Sequence, residues 1–106
     1  MVVNLTKTVT VTTSGTPVQI NVAPVPIRKL YIQADPNNTA TKLIFIGGEN
    51  LTITSAGDSA GYDLAPGQSI ALDFSDYSLP NNADLPLWYL DADANGLKAN
   101  VFAVRA

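Results

Sequence analysis

The sequence predicts an all-β protein, an antiparallel β-sandwich or jelly roll of about seven or eight short strands. Apolar and polar side chains alternate with a period of two through most of the chain, which is the pattern of strands with one buried face. Turn-forming Gly, Pro, Asn and Asp recur at short intervals between these runs. No window shows helical spacing of apolar residues. At 106 residues the chain has room for one core, so a single domain over residues 1–106 is expected.

The first 22 residues predict a Thr-rich N-terminal hairpin or arm. One side of an extended segment carries Leu5, Lys7, Val9, Val11 and Thr13. The other side carries Thr6, Thr8, Thr10 and Thr12. Residues 14–17 have turn chemistry, and residues 18–22 resume the alternation as the second strand of the hairpin.

Further strands are predicted in the middle of the chain. Pro24 and Pro26 interrupt the ladder because proline has no backbone N–H to donate. Strands are then expected at residues 29–34, 43–46, 51–54 and 69–74. The run over 43–46 is apolar on both faces, which predicts a central strand.

A final hairpin is predicted from strands 85–90 and 99–104, joined by residues 91–96. Asn-Gly between alternating runs is a strong hairpin signal. By phase, Tyr89 shares a face with the leucines at 85 and 87, and Trp88 faces outward or towards a second sheet. The alternative is that Trp88 fills the sandwich and a β-bulge shifts the phase.

Composition excludes several functions. The chain has no histidine and no cysteine, a formal net charge of −3 and a pI of about 4.4. Without imidazole or thiol we expect no enzyme, no catalytic residue, no cofactor and no metal. Nucleic acid and anionic membranes bind clustered cations, and Arg28–Lys29 is the only adjacent pair, so neither partner is expected. The lack of cysteine and of a signal-like N-terminus predicts synthesis in a reducing cytoplasm.

The exterior is predicted to be neutral and polar. Charged residues make up 14% of the chain, which also contains ten threonines. Such a surface costs little to desolvate, and it favours contact with other protein over the alternative of a soluble monomer.

Acidic and amide side chains offer the main candidates for chemistry. Asp91, Asp93 and Asn95 before Gly96 resemble the start of a calcium loop, but Phe102 stands where that loop needs its glutamate. A turn is therefore favoured over a Ca²⁺ site. Other carboxylates lie in or beside loops, where they usually cap turns rather than catalyse, and these are Glu49, Asp58, Asp63, Asp73, Asp76 and Asp84.

Aromatic side chains are candidates for a sugar platform or a protein contact. They are Tyr62, Tyr77, Trp88 and Tyr89. The hypothesis that competes with a structural role is a carbohydrate-binding module that stacks sugar rings on Trp88 or Tyr62.

The order of motifs resembles that of a known group of proteins. The segment RKLYIQADPNNT at 28–39 leads to Ile44–Gly47, and LAPGQSIAL at 64–72 precedes LWYLDA at 87–92. Over residues 27–104 this order resembles the small β-sandwich virion proteins of tailed bacteriophages. The chain departs from that pattern by a long segment at 49–63 and by the N-terminal 22 residues.

The resemblance implies a non-enzymatic virion structural protein of the capsid decoration, cement or head-fibre type. Such a protein binds the major capsid protein at the capsid surface, often as a homo-oligomer such as a trimer, and contributes no catalytic residues. A neck or tail component of the same kind of virion is an alternative. Residues 1–13 are expected to add as a strand to a neighbour, so deleting residues 2–12 should abolish assembly and leave a soluble fold.

Overall fold

The computed structural model describes residues 4–49, 51, 62–74 and 84–105. Within these ranges the chain forms eight strands and one 3₁₀ turn. The strands are β1 (Leu5–Val11), β2 (Val18–Gln19), β3 (Ile27–Ala34), β4 (Ile44–Gly47), β5 (Tyr62–Leu64), β6 (Ser69–Asp73), β7 (Tyr89–Ala92) and β8 (Leu97–Arg105). The 3₁₀ turn covers Leu85–Leu87 and leads into β7.

The strands form two antiparallel four-stranded sheets, which confirms the predicted fold class. Sheet A has the order β1-β8-β3-β6, and sheet B has the order β2-β7-β4-β5. Strands of the first half pair with strands of the second half in reverse order, β1 with β8, β2 with β7, β3 with β6 and β4 with β5. This is the strand order of a jelly roll, in which one long antiparallel ribbon is rolled into two sheets.

Neither predicted hairpin forms. The expected N-terminal hairpin over residues 1–22 is wrong, because β1 pairs with β8 in sheet A while β2 pairs with β7 in sheet B. The expected C-terminal hairpin is wrong for the same reason, since β7 and β8 lie in different sheets. In a rolled ribbon these connections cross from one layer to the other, so the sequence neighbours are not hydrogen-bonded neighbours.

The predicted strand over 85–90 is also wrong in its first half. Pro86 lies near the start of the 3₁₀ turn, where its missing N–H costs nothing. The strand then starts at Tyr89 and runs to Ala92. The strand expected over 51–54 lies outside the described residues apart from Leu51, and β5 is a strand that the sequence pattern does not predict.

The core lies between the inner faces of the two sheets. Leu30 of β3 is fully buried, and its neighbours across the ladder are Leu72 of β6 and Ala103 of β8. Ile44 and Leu90 face them from sheet B, also fully buried. β4 lies between β7 and β5, which confirms its predicted central position.

Candidate binding surfaces

Asp91 is the only buried charged side chain in the described ranges, with 0% of its surface exposed. It lies in β7 opposite Phe45, on the side of sheet B that faces away from the core. Its Oδ1 accepts hydrogen bonds from the backbone N–H groups of Gly15 at 3.0 Å and Ala92 at 2.8 Å. Asp91 thereby holds the β1–β2 turn against sheet B.

Asp93 and Asn95 make equivalent contacts in the connection between β7 and β8. Asp93 Oδ1 accepts the N–H of Leu43 at 2.8 Å, and the Asp93 N–H donates to the Leu43 oxygen at 3.2 Å. Asn95 Oδ1 accepts the N–H of Ser14 at 2.8 Å. The Ser14 hydroxyl in turn donates to the carbonyl oxygen of Ala92 at 2.7 Å.

These contacts favour the turn interpretation over the calcium interpretation. A Ca²⁺ site needs six to eight oxygens that converge on one point. Here Asp91, Asp93 and Asn95 each direct an oxygen to backbone N–H groups, and these belong to four different residues. Over residues 4–49, 51, 62–74 and 84–105 no three or more His, Cys, Asp or Glu side chains are grouped so that they could hold a metal ion.

The turn itself differs from a hairpin turn. Gly96 has a φ of +82°, a conformation that favours glycine, and its N–H donates to the Val11 oxygen at 2.8 Å. The connection therefore ties β8 to the end of β1 instead of folding β8 back onto β7.

A second amide fixes the same end of the sandwich. Asn38 Nδ2 donates to the Lys98 oxygen at 2.8 Å, and the Lys98 N–H donates to Asn38 Oδ1 at 2.9 Å. A polar cavity of about 230 Å³ lies between these loops. The Asn38 and Asn95 side chains that line it are bonded to the backbone, so these two amides are part of the loop scaffold.

The other candidate carboxylates that the structure describes are spread over the fold. Asp63 lies in β5 of sheet B and Asp73 lies in β6 of sheet A, so they belong to different layers. Glu49 is exposed, and Asp84 forms an isolated β-bridge with Pro26. Asp58 and Asp76 lie outside the described residues.

The aromatic candidates do not form the expected platform. Trp88 packs against the core, with its ring centroid 5.7 Å from that of Phe74. Of the two predicted placements of Trp88, outward or towards a second sheet, the outward one is wrong, because Trp88 is half-buried against the core. The alternative of packing in the sandwich agrees with this position, although a 3₁₀ turn rather than a β-bulge precedes β7. Tyr89 is half-buried and Tyr62 is 59% exposed, whereas Tyr77 lies outside the described residues.

The exposed face of sheet A carries a pair of aromatic side chains that the sequence did not single out. Tyr31 of β3 lies opposite Phe102 of β8, with ring centroids 5.9 Å apart and an interplanar angle of 35°. Each residue is 39% exposed. The alternation places both rings on outward faces, but only the β3–β8 register brings them together. That register cannot be predicted from the sequence alone.

A polar row lies beside the two rings. The Thr8 hydroxyl donates to Asn100 Oδ1 at 3.1 Å, and Asn100 Nδ2 donates to Gln33 Oε1 at 3.4 Å. Ser69 lies opposite Gln33 and ends the row on β6. This face therefore combines exposed apolar rings with neutral hydrogen-bonding groups.

The outer edge of β1 is a second candidate surface. The Lys98 N–H and oxygen both bond to the 35–38 loop, so they point away from β1. In an antiparallel ladder, opposite residues are either both bonded to each other or both turned away. Thr10 lies opposite Lys98, and Thr8 and Thr6 follow at the same phase. Their backbone N–H and C=O groups therefore point to the edge of β1, where no further strand pairs within the described residues; this is called the free edge below.

The predicted side-chain alternation of β1 is confirmed. Thr6, Thr8 and Thr10 are exposed, while Val9 and Val11 are buried in the core. Deleting residues 2–12 would remove a whole strand and two core side chains, so the expectation that the deletion leaves a soluble fold is replaced by the expectation that it also costs stability.

Comparison of the chain with protein-family models, with curated proteins and with solved structures finds no match. In the part of the chain that the structure describes, no helix has the length and apolar character needed to cross a membrane.

Proposed function

We propose that this chain is a non-enzymatic structural protein of a virion, a capsid decoration protein that binds the major capsid protein through the free edge of β1. The observation that carries the proposal is the edge itself. β1 is seven residues long, and three of its residues turn both backbone groups outward with no strand paired beyond them in the described structure. An exposed edge of this kind is a template for an added strand.

The chemistry of the edge defines the strand that would bind there. Each main-chain hydrogen bond contributes about 1 kcal/mol net, so the outward groups of Thr6, Thr8 and Thr10 give affinity without charge. Lys7 lies on the core-facing side of the same edge, and its Nζ donates to Asn21 Oδ1 at 3.2 Å. A charged side chain facing inward discourages indiscriminate edge pairing. A partner strand with an acidic or amide residue beside Lys7 would fit best.

Hydrogen bonds that fix the loops at one end of the sandwich support a structural role. Asp91, Asp93, Asn95 and Asn38 each hold a backbone amide of another segment. These bonds make the end of the sandwich rigid, which limits the conformational entropy lost when the protein docks.

The virion role in this proposal rests on the resemblance of residues 27–104 to small virion proteins of tailed bacteriophages. Jelly rolls occur among viral capsid domains and also among lectins, so the fold is compatible with the role but does not assign it. The same contact at a neck or tail position would be a variant of this proposal. The proposal also includes self-association of the chain, for example as a trimer.

The experiment compares two substitutions at one residue. Virions of the phage that encodes the chain are stripped of it, and purified variants are added back. Thr8→Pro removes an outward N–H and blocks an added strand, whereas Thr8→Ala keeps the backbone donor. We expect Thr8→Pro to weaken rebinding at least about tenfold, the equivalent of one or more lost hydrogen bonds, and Thr8→Ala to rebind like the wild type.

Two results would contradict the proposal. One is a chain that peptide mass spectrometry finds only in the soluble lysate and not in purified virions. The other is equal rebinding of Thr8→Pro and wild type. That result would refute docking through the β1 edge, and any attachment to the virion would then use a different surface. Light scattering of the purified chain measures its self-association separately.

A further inference from the structure

We propose that the exposed face of sheet A carries a saccharide-binding site, here called the aromatic notch. Its lining residues are Thr6, Tyr31, Gln33, Ser69, Asn100 and Phe102. The ligand is a neutral oligosaccharide that seats one pyranose ring in the notch. This proposal uses a face of the sheet, whereas the proposed function uses the edge of β1.

The floor of the notch is apolar and exposed. Tyr31 and Phe102 lie side by side across the β3–β8 ladder, and each leaves 39% of its surface in water. The ring centroids are 5.9 Å apart, so the two side chains form one continuous apolar patch on the sheet. A pyranose ring has apolar C–H groups on its faces, and these can pack on the two aromatic rings.

The polar row supplies hydrogen bonds beside the floor. Two hydrogen bonds cross the sheet with the same donor-to-acceptor direction, from Thr8 to Asn100 and from Asn100 to Gln33. The second bond occupies the Gln33 Oε1, and the described structure gives the Gln33 Nε2 no protein acceptor. Its two N–H donors, with the Ser69 hydroxyl, match the equatorial hydroxyls around a sugar ring.

Size and charge narrow the class of ligand. The cavity has a volume of about 250 Å³, just below the range of sites that hold drug-sized molecules, so it suits a single ring. None of its lining residues is charged. The charged residues of this face, Lys29, Lys98 and Asp73, lie one register row or more away from the two rings. A saccharide is uncharged and combines apolar C–H faces with hydroxyl groups, so it can contact both the rings and the polar row.

Four strands about 4.8 Å apart and four rows about 6.8 Å apart give this face a flat area of roughly 500 Å². This area is large enough for a short oligosaccharide.

The test is an NMR titration of the full-length chain. Amide spectra are recorded with cellohexaose, chitohexaose, maltohexaose and mannohexaose, and then repeated with Tyr31→Ala, Phe102→Ala and the control Tyr62→Ala. Tyr62 is an exposed aromatic residue in the other sheet, so it matches the chemistry of the test variants without lining the notch. Dispersed spectra show that each variant is folded.

We expect at least one of these saccharides to shift the amides of Tyr31, Gln33, Asn100 and Phe102 saturably. Tyr31→Ala or Phe102→Ala should weaken binding about threefold to tenfold, as the loss of one ring contact implies, and the control should leave affinity unchanged. If no saccharide of the panel shifts these amides, or if both ring variants bind like the wild type, the proposal is overturned.

One further outcome separates this proposal from the role of the edge. Loss of rebinding to virions by Tyr31→Ala, without saccharide binding by the wild type, would overturn the notch and make this face a protein contact. If Thr8→Pro rebinds like the wild type, the docking role of the β1 edge is refuted. The result of the saccharide titration does not depend on that outcome.

Discussion

Replacing Asp93 by alanine should destabilise the protein by the loss of one charge-assisted hydrogen bond. Asp93 Oδ1 accepts the Leu43 N–H at 2.8 Å, a contact that joins the β7–β8 connection to the residue before β4. Hydrogen bonds to charged groups contribute about 1.5–3 kcal/mol, and alanine would leave the part-buried N–H without its partner. We therefore expect a loss of about 2 kcal/mol, which for about 100 residues lowers the midpoint of thermal unfolding by about 9 °C.

Asp93→Asn is the matched control. It keeps an oxygen acceptor at the same position and removes the charge, so about half of the loss is expected, roughly 1 kcal/mol. The single tryptophan, Trp88, packs on Phe74 and reports unfolding by fluorescence. Urea unfolding of the three proteins, with equal slopes, gives the free energies.

The same experiment tests the calcium interpretation. If Asp91, Asp93 and Asn95 serve only as loop staples, excess calcium chloride and EDTA leave the unfolding midpoint of the wild type unchanged. If Asp93→Ala is as stable as the wild type, the stabilising role of the Asp93–Leu43 hydrogen bond is refuted. A calcium-dependent rise in the midpoint of the wild type that Asp93→Ala abolishes would show that the oxygens bind an ion after all.

Three further predictions concern the core, a turn and the edge. Leu30→Ala should lower the free energy of unfolding by about 2–5 kcal/mol, because the side chain is fully buried between β6 and β8, and an unchanged urea midpoint would contradict the packing. Gly96→Ala should cost about 1–2 kcal/mol through its φ of +82° alone, since a Cβ there meets no atom within 4 Å, and a gain in thermal stability would contradict that strain. Lys7→Pro should cost about 2 kcal/mol or more because Lys7 bonds to Val101 in the ladder, while Thr8→Pro should cost less than about 1 kcal/mol. The reverse order in urea unfolding would contradict the assigned direction of the backbone groups.

Period-two alternation was sufficient to predict which side of a strand is buried. In β1 the burial of Val9 and Val11 and the exposure of the threonines follow directly from it. The same holds for β3, where Leu30 and Ile32 are buried and Tyr31 is exposed. Burial of one face is a local property, because each residue contributes its own hydrophobic term.

Strand partners could not be predicted in the same way. A strand with one apolar face satisfies its hydrophobic term in either sheet, so the pattern around Asn95 and Gly96 is compatible with a hairpin and with a crossing between layers. The observed crossing depends on Asp91 and Asn95, which bond to the turn between β1 and β2. Those contacts join residues about 80 positions apart, and no local pattern encodes them.

The candidate sites show the same limit. Exposure of Tyr31 and Phe102 was implicit in the alternation of their strands, but their contact is a consequence of register. Trp88 was misplaced because a 3₁₀ turn at Pro86 changed the period from two to three just before β7. The contact of the two rings required the pairing of strands, and the position of Trp88 required the 3₁₀ turn, neither of which the alternation provided.

Amide hydrogen exchange along β1 tests the central claim most directly. In the free chain, the amides of Thr6, Thr8 and Thr10 should exchange fast, while those of Lys7, Val9 and Val11 should exchange slowly in the ladder with β8. On the virion, the three threonine amides should become protected. Slow exchange of these amides in the free chain, or fast exchange on the particle, would contradict a docking edge at β1.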